Sequence, residues 1–241
     1  MYRLRARAPV SLFIASLLLL LGASALEAGS VTGKVTFEGP VPRLRPVDMN
    51  ADPACAAKHS APVAPDILTL GPGKGMKYVL VQVKNAPASS AGAPKEPAVV
   101  DQVGCRYEPH VVGVMAGQPL RFKNSDGVLH NVHGLPKESA QFNLGMPPTL
   151  KEKDITLNKP ELFHVKCDVH PWMKAYVAVM THPYFAVTGD DGSFTIDNLP
   201  AGTYTIEAWH ERLGTQTAEV KVGASGAASA NFSFKTPAKK K

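Results

Sequence analysis

The chain of 241 residues holds only three cysteines, two tryptophans and 7% aromatic side chains. Three cysteines cannot all pair within one chain, so a disulfide framework leaves one thiol for another purpose. No 3.6-residue apolar period persists beyond two turns, which argues against a helical bundle or an alternating α/β fold. There is no Ser-His-Asp order, no phosphate-cradling glycine loop and no His-Glu-x-x-His motif, so the commonest hydrolase, nucleotide and zinc-protease chemistries find no foothold. No internal repeat of fixed length is present. A basic stripe interleaved with aromatics is also missing, and no nucleic-acid partner is expected. The formal charge of +6 is less basic than it looks. Arg3, Arg5 and Arg7 lie in the leader described next, and Lys235, Lys239, Lys240 and Lys241 crowd the last seven residues.

What is present begins with an export signal. The three arginines precede "SLFIASLLLLLGA", an apolar run short for a bilayer span, and Ala23-Ser24-Ala25 fits a cleavage site. Residues 1–25 are therefore expected to be a signal peptide, with an uncleaved anchor as the alternative. The mature protein is expected in the periplasm or secreted, with no stable membrane span after cleavage.

The remainder reads as β-structure. "GSVTGKVTFEG" (29–39) alternates Val31, Val35 and Phe37 with polar residues, and "KYVLVQVKN" (77–85) places Val79, Val81 and Val83 on one face. Residues 40–66 contain six prolines and no period, predicting an ordered loop or two short strands. "APASSAGAPKEP" (86–97) is a connector. Strand-like runs follow to about residue 180: "AVVDQVGCRY", "HVVGVMAG", "PLRFKNS", "LHNVHGL", "KDITL", "LFHVKC" and "KAYVAVM". "TGDDGSFTIDNLPAGTYTIEAWHE" (188–211) predicts a hairpin entered through Asp191-Gly192. "QTAEVKV" and "ANFSFK" add strands, "GASGAASA" reads as a flexible spacer and 236–241 as a basic tail. The fold class is all-β, built as sandwiches.

One stretch departs from plain β-structure. "LFHVKCDVHPWMKAYVAV" (162–179) sets Cys167, His170 and Met173 in a short loop between two strands. Thiolate, imidazole and thioether form a donor set suited to copper. A second imidazole would come from "KNSDGVLHNVH" (123–133), which offers His130 and His133. Strand alternation turns these two to opposite faces. His130 is preferred because it follows directly from the "NSDG" turn, with His133 as the alternative.

"NSDGVLHN" followed about 37 residues later by "CDVHPWM" resembles the cupredoxins, the blue-copper proteins, and most of all the short C-x₂-H-x₂-M loop of amicyanin-like members. The resemblance covers about residues 98–181. It implies a Greek-key cupredoxin β-sandwich, one copper per chain, equatorial ligands His130, Cys167 and His170, axial Met173, and a redox partner protein reached through His170 on an exposed loop. One position departs: Asp168 stands where the family commonly has a hydroxyl residue bonded to the neighbouring asparagine, here Asn131. Trp172, in the same loop, is read either as a surface aromatic or as core.

A second resemblance is to carboxypeptidase regulatory-like (transthyretin-like) β-sandwiches, carried by "VTGDDGSFTIDNLPAGTYTIEAWHE", with "VTGKVTFEG" and "YVLVQVKN" resembling that fold's first strands. The whole also resembles exported methylamine-utilisation and plastocyanin-like proteins. It implies a second small sandwich from residues 28–97 plus 183–235, interrupted by the copper unit at 98–182 and packed on it through Tyr184, Phe185 and Trp209. Two sequential domains are the alternative. His182 and His210 are candidates for a second metal site, with buried interdomain histidines as the alternative. Cys55 and Cys105, the non-ligand cysteines, are expected to pair in an oxidising compartment. The functional expectation is a one-electron carrier and not an enzyme. The alternative is a copper-binding, polysaccharide-binding or protein-binding module without electron transfer.

Overall fold

The computed structural model describes residues 28–236; the expected signal peptide and all but the first residue of the basic tail lie outside the described residues. The elements run β1 (Ala28–Glu38), α1 (Pro53–Ala56), β2 (Leu80–Val83), β3 (Ala98–Gln102), β4 (Tyr107–Glu108), β5 (Val111–Met115), β6 (Pro119–Asn124), β7 (His130–Gly134), β8 (Phe142–Met146), β9 (Glu152–Thr156), β10 (Glu161–Lys166) and β11 (Lys174–Met180). Then come β12 (Phe185–Val187), β13 (Ser193–Pro200), β14 (Gly202–His210), β15 (Gly214–Val222), β16 (Ala227–Ser229) and β17 (Phe232–Lys235). The class is all-β.

Two sandwiches emerge from the pairing. In one, the sheet β5-β11-β10-β7-β8 faces the sheet β4-β3-β6-β9. Their inner faces share a core that includes Val100, Tyr107, Leu120, Phe122, Val165 and Val177. In the other, β1 pairs with β13, β16 and β17, opposite the sheet β12-β2-β14-β15. Val31, Val35, Val81, Ile196, Ile206 and Phe234 fill that core. Here β1 and β2, from the start of the chain, find all their strand partners at or beyond Phe185.

Sequence explains why the two halves stay together. Every second residue of β11 (Ala175, Val177, Val179) enters the first core, while Tyr176, Ala178 and Met180 meet Tyr78, Leu80, Phe185 and Trp209 on the other side. A strand covered on both faces must be apolar nearly throughout, which is how "AYVAVM" reads. Gly113 is needed where β12 crosses β5, because a Cβ there would lie 2.4 Å from the Phe185 ring. A buried polar clasp adds to the apolar contact: His110 Nε2 lies 2.5 Å from Glu211 Oε1, and both side chains are nearly inaccessible. Phe185 and Trp209 thus sit at the join as expected, but Tyr184 does not; it is buried in the second core.

Several local expectations are corrected. Residues 193–210 are not a hairpin: β13 pairs with β1 and β14 with β2 and β15, so the "LPAG" corner carries the chain from one sheet to the opposite one. The local pattern showed two strands and a turn but not which partners had the larger apolar faces to cover. The Asp191-Gly192 turn is real, with Gly192 at φ 81°. The spacer "GASGAASA" contains β16, held by parallel pairing with β1 despite small side chains. Residues 40–66 hold no strand, only α1 and a three-residue 3-10 turn that begins at Asp66. Strand β2 is shorter than 77–85 because Tyr78 takes a positive φ of 64°. Strands β8 and β12 were not anticipated. Phe142, Leu144 and Met146 do alternate, but Asn143 and Gly145 between them have low strand propensity.

Candidate metal centre

Two loops at one end of the first sandwich build the site. The first leads into β7. Asn124 ties it down, its Nδ2 donating to the carbonyls of Val128 (2.9 Å) and Met146 (2.8 Å). His130 therefore begins β7 with its ring turned inward and fully buried. The second loop joins β10 to β11. Cys167 N–H donates to the Met173 carbonyl (3.1 Å) and Met173 N–H to the His170 carbonyl (2.9 Å), closing it on itself. Pro171, which has no N–H, falls at the loop tip. Asn131 locks the two loops together: its Oδ1 accepts Asp168 N–H at 2.6 Å, and its Nδ2 donates to Asp168 Oδ2 at 3.0 Å.

These constraints bring His130, Cys167 and His170 together. Nδ1 of His130 lies 2.9 Å from Nδ1 of His170, and the Cys167 sulfur 3.7 Å from the latter. The three donor atoms all lie within 4.8 Å of one another. Both imidazoles are held from behind by carboxylates: Asp126 Oδ2 is 2.9 Å from His130 Nε2, and Asp52 Oδ2 is 2.8 Å from His170 Nε2. An ionised carboxylate only accepts, so each Nε2 must carry a hydrogen, and a neutral ring then presents a bare Nδ1 lone pair. Two such lone pairs facing each other require either a shared proton or a cation between them. Imidazole and thiolate bind transition metals at about 2.0–2.3 Å, so one ion fits among donors this close. The residues present fit a metal.

The electrostatics of the metal-free site favour a thiolate at Cys167 and a proton on His130. Burial pushes the Cys167 thiol up, but the hydrogen bond with His130 and the main-chain groups of Asn131, His170 and Val169 outweigh it and hold the thiol near about 7. Much of it is thiolate at neutral pH, the form that binds metal. Burial likewise opposes ionisation of Asp126, yet its bond to His130, the N–H groups of Cys105 and Gly104, and Lys58 keep it below the usual carboxylate range. Burial opposes a charge on His130 too, while Asp126 and Cys167 favour it and prevail, so its pKa is raised.

Met173 is buried at the foot of the loop, in the same core cluster as Cys167. His133 turns the other way, 2.8 Å from Asp168 and partly exposed. His182 and His210 do not meet at a metal site. His182 stacks on Tyr184 at 5.9 Å between ring centroids, and His210 Nδ1 accepts the N–H groups of Arg212 and Leu213. Trp172 is half-buried, donating to the Cys105 carbonyl at 3.0 Å with its ring 5.1 Å from that of His170. Cys55 and Cys105 are joined by a disulfide, Cα atoms 5.6 Å apart.

One expectation fails. His170 is not on an exposed face: it is 1% accessible. The cover is residues 47–63 of the β1–β2 connection, with Val47, Met49, Cys55, Ala56 and Val63 packing into the first core and Asp52 reaching the ring. These residues therefore pack with the first sandwich, although 28–97 was expected to belong with the second. The two acids, Asp126 and Asp52, were missed as site residues. Asp126, in "NSDG" four residues before His130, had a readable signal. Asp52 had only its place before Pro53 and Cys55 in a segment without periodicity.

A family model of the carboxypeptidase regulatory-like domain matches residues 170–235. No curated protein matches the chain. Among solved structures the chain is similar to a mutant of amicyanin in its reduced state, at 22% identity over 42% of this chain and 98% of that one, with a TM-score of 0.33. It is similar to a purple cupredoxin from Nitrosopumilus maritimus, at 19% identity over 34% of this chain and 99% of that one, TM-score 0.30. The copper-containing nitrite reductase NirK from Thermus scotoductus SA-01 matches at 23% identity over 40% of this chain, TM-score 0.33, and this chain spans 25% of its length. The chain thus carries a carboxypeptidase regulatory-like match at its C-terminal end and has cupredoxins among its structural neighbours, at low overall similarity.

Proposed function

We propose that this is an exported type 1 (blue) copper protein that carries one electron at a time, with one copper per chain held by His130, Cys167, His170 and Met173. The observation that carries the reading is the 2.9 Å approach of two imidazole Nδ1 atoms whose Nε2 atoms are both committed to carboxylates, beside a buried thiol of lowered pKa. Bound there, copper supplies a one-electron couple under thiolate and imidazole donors. The chain's own part is to hold those donors still and dry. Asn131 and the Cys167–Met173 main-chain bonds fix the loop, while the two carboxylates fix both ring orientations. The disulfide between Cys55 and Cys105 supports an oxidising compartment outside the cytoplasm. We also read the second sandwich as a regulatory-like unit interrupted by the copper unit, since β1 and β2 pair only with strands from β12 onward. A redox partner would meet the exposed Leu129 and Val169, which directly precede the two histidines.

The closed edge of His170 favours one rival: a site that sequesters copper without exchanging electrons. Metal content and a visible spectrum of purified protein, cycled through oxidant and reductant, separate the two. One copper and a band that disappears on reduction and returns on oxidation support the carrier. Tight, colourless Cu(I) that resists oxidation supports sequestration, and a protein with no affinity for copper removes both.

A further inference from the structure

The turn that covers His170 comes from far away in the chain, 118 residues before it, out of the connection between two strands of the other sandwich. Asp52 is its working residue. One carboxylate oxygen accepts the N–H groups of Ala54 (2.9 Å) and Cys55 (3.3 Å), capping α1, while the other accepts His170 Nε2–H. Cys55 follows three residues on, with its sulfur 3.5 Å from the same Nε2 and bonded to Cys105. Trp172 closes the remaining side by donating to the Cys105 carbonyl. A single carboxylate thus caps the turn and orients the imidazole, and a disulfide pins both to the sandwich.

We propose that Asp52 is a positioning residue of the metal centre and that its disulfide-anchored turn seals the site at His170. Three consequences follow from the geometry. Asp52 selects the His170 tautomer whose Nδ1 lone pair faces Cys167 and His130. Its negative charge, one imidazole ring away from the metal position, favours the more positive oxidation state. The turn denies a partner or a small reagent direct contact with the ring edge, so electrons must reach the site past other residues.

The proposal rests on the copper reading only for the charge effect, so the test has an arm without metal. In metal-free protein, iodoacetamide alkylation of Cys167 is timed at a pH where the thiolate is fully formed. Asp52→Ala removes both the cap and the clamp and should speed alkylation at least tenfold. Asp52→Asn keeps its one oxygen for the cap, since asparagine caps as well as aspartate, and fills the same space against His170 while presenting an amide NH2 there in place of an acceptor; alkylation should stay within about twofold of wild type. In copper-loaded protein both variants lose the charge and should raise the potential. We expect about a tenfold shift in the Cu(I)/Cu(II) ratio at fixed poise, equivalent to about 59 mV for one electron. Where the alanine variant does not fold, Asp52→Ser, which retains a capping oxygen but is too short to reach His170, takes its place. Unchanged alkylation in the truncated variant overturns the seal. An unchanged potential in Asp52→Asn overturns the positioning charge, leaving Asp52 a mere helix cap. Failure of wild type to bind copper removes the functional reading, while the alkylation arm still decides the seal.

Discussion

The two sandwiches share a fold class and differ in what they bury. The one built on β1, β2 and β12–β17 has a core of aliphatic and aromatic side chains. His210, at its margin, spends its ring nitrogen on two main-chain N–H groups of a turn. The other buries His130, His170, Cys167, Asn124 and Asn131 around one end. Polar groups are costly to bury unless partnered, and each of these is partnered by hydrogen bonds that point at the same small volume. In the sandwich built on β1 a histidine completes a turn. In the one that bears the site, histidines are themselves held in place so that their other nitrogens face one another. Burial alone does not distinguish a structural histidine from a ligand; where the second nitrogen points does.

The comparison can be broken most severely at Cys167. Cys167→Ser should abolish copper-dependent visible absorption entirely, with β-sheet content by circular dichroism unchanged. Retention of the colour would remove Cys167 from the ligand set. The next largest effect lies where the cover over His170 is pinned to the first sandwich. Replacing Cys55 and Cys105 together by serine reopens a 50-residue loop. It should cost about 4 kcal/mol in the chain-entropy account, read as a lower denaturation midpoint. Hydrogen exchange should rise first in residues 47–63, and equal protection there would contradict the view that the bridge holds the cover.

His210 provides the control in the other sandwich. Burial lowers its pKa from 6.5 to about 4. The folded state therefore binds fewer protons than the unfolded state between those values. Stability is full above pH 6.5 and falls as pH drops through that window toward 4, by about 3 kcal/mol at most. Protonation would also take away the Nδ1 lone pair that accepts from Arg212 and Leu213. His210→Asn, which keeps an acceptor but cannot titrate, should flatten this part of the pH–stability profile measured by urea unfolding. An unflattened profile would place the titration elsewhere. Met173→Leu is the mildest change, nearly conserving volume in the core. It should retain copper and shift the potential. An unchanged potential would make Met173 a packing residue only.

How much of this was legible beforehand depended on the range of the interaction. The loop bearing Cys167, His170 and Met173 was readable because seven consecutive residues carry its chemistry and its turn. Strand alternation, a local rule, turned His130 and His133 to opposite faces, the turn before His130 decided between them, and the structure places His133 on Asp168. The bond between Asn131 and Asp168 followed from the resemblance, which pairs the residue after the cysteine with the asparagine beside the first histidine, and the structure has it. The false hairpin at 188–211 and the missed β16 share one cause: both elements are defined by what pairs with β1, more than 150 residues earlier. The cover on His170 escaped for the same reason. Nothing in "NADPACAA" says that its aspartate lies over an imidazole 118 residues later, and the rule that loops carry function says only that such a segment can.

The central claim is that two carboxylate-held imidazoles and one thiolate converge on a single copper. X-ray absorption at the copper edge, on protein loaded with one equivalent, tests it most directly. The account predicts one short sulfur scatterer and two imidazole rings, with the sulfur lost in Cys167→Ser and one ring lost in His130→Ala. A copper shell containing only nitrogen and oxygen, or one unaltered by either substitution, would contradict it.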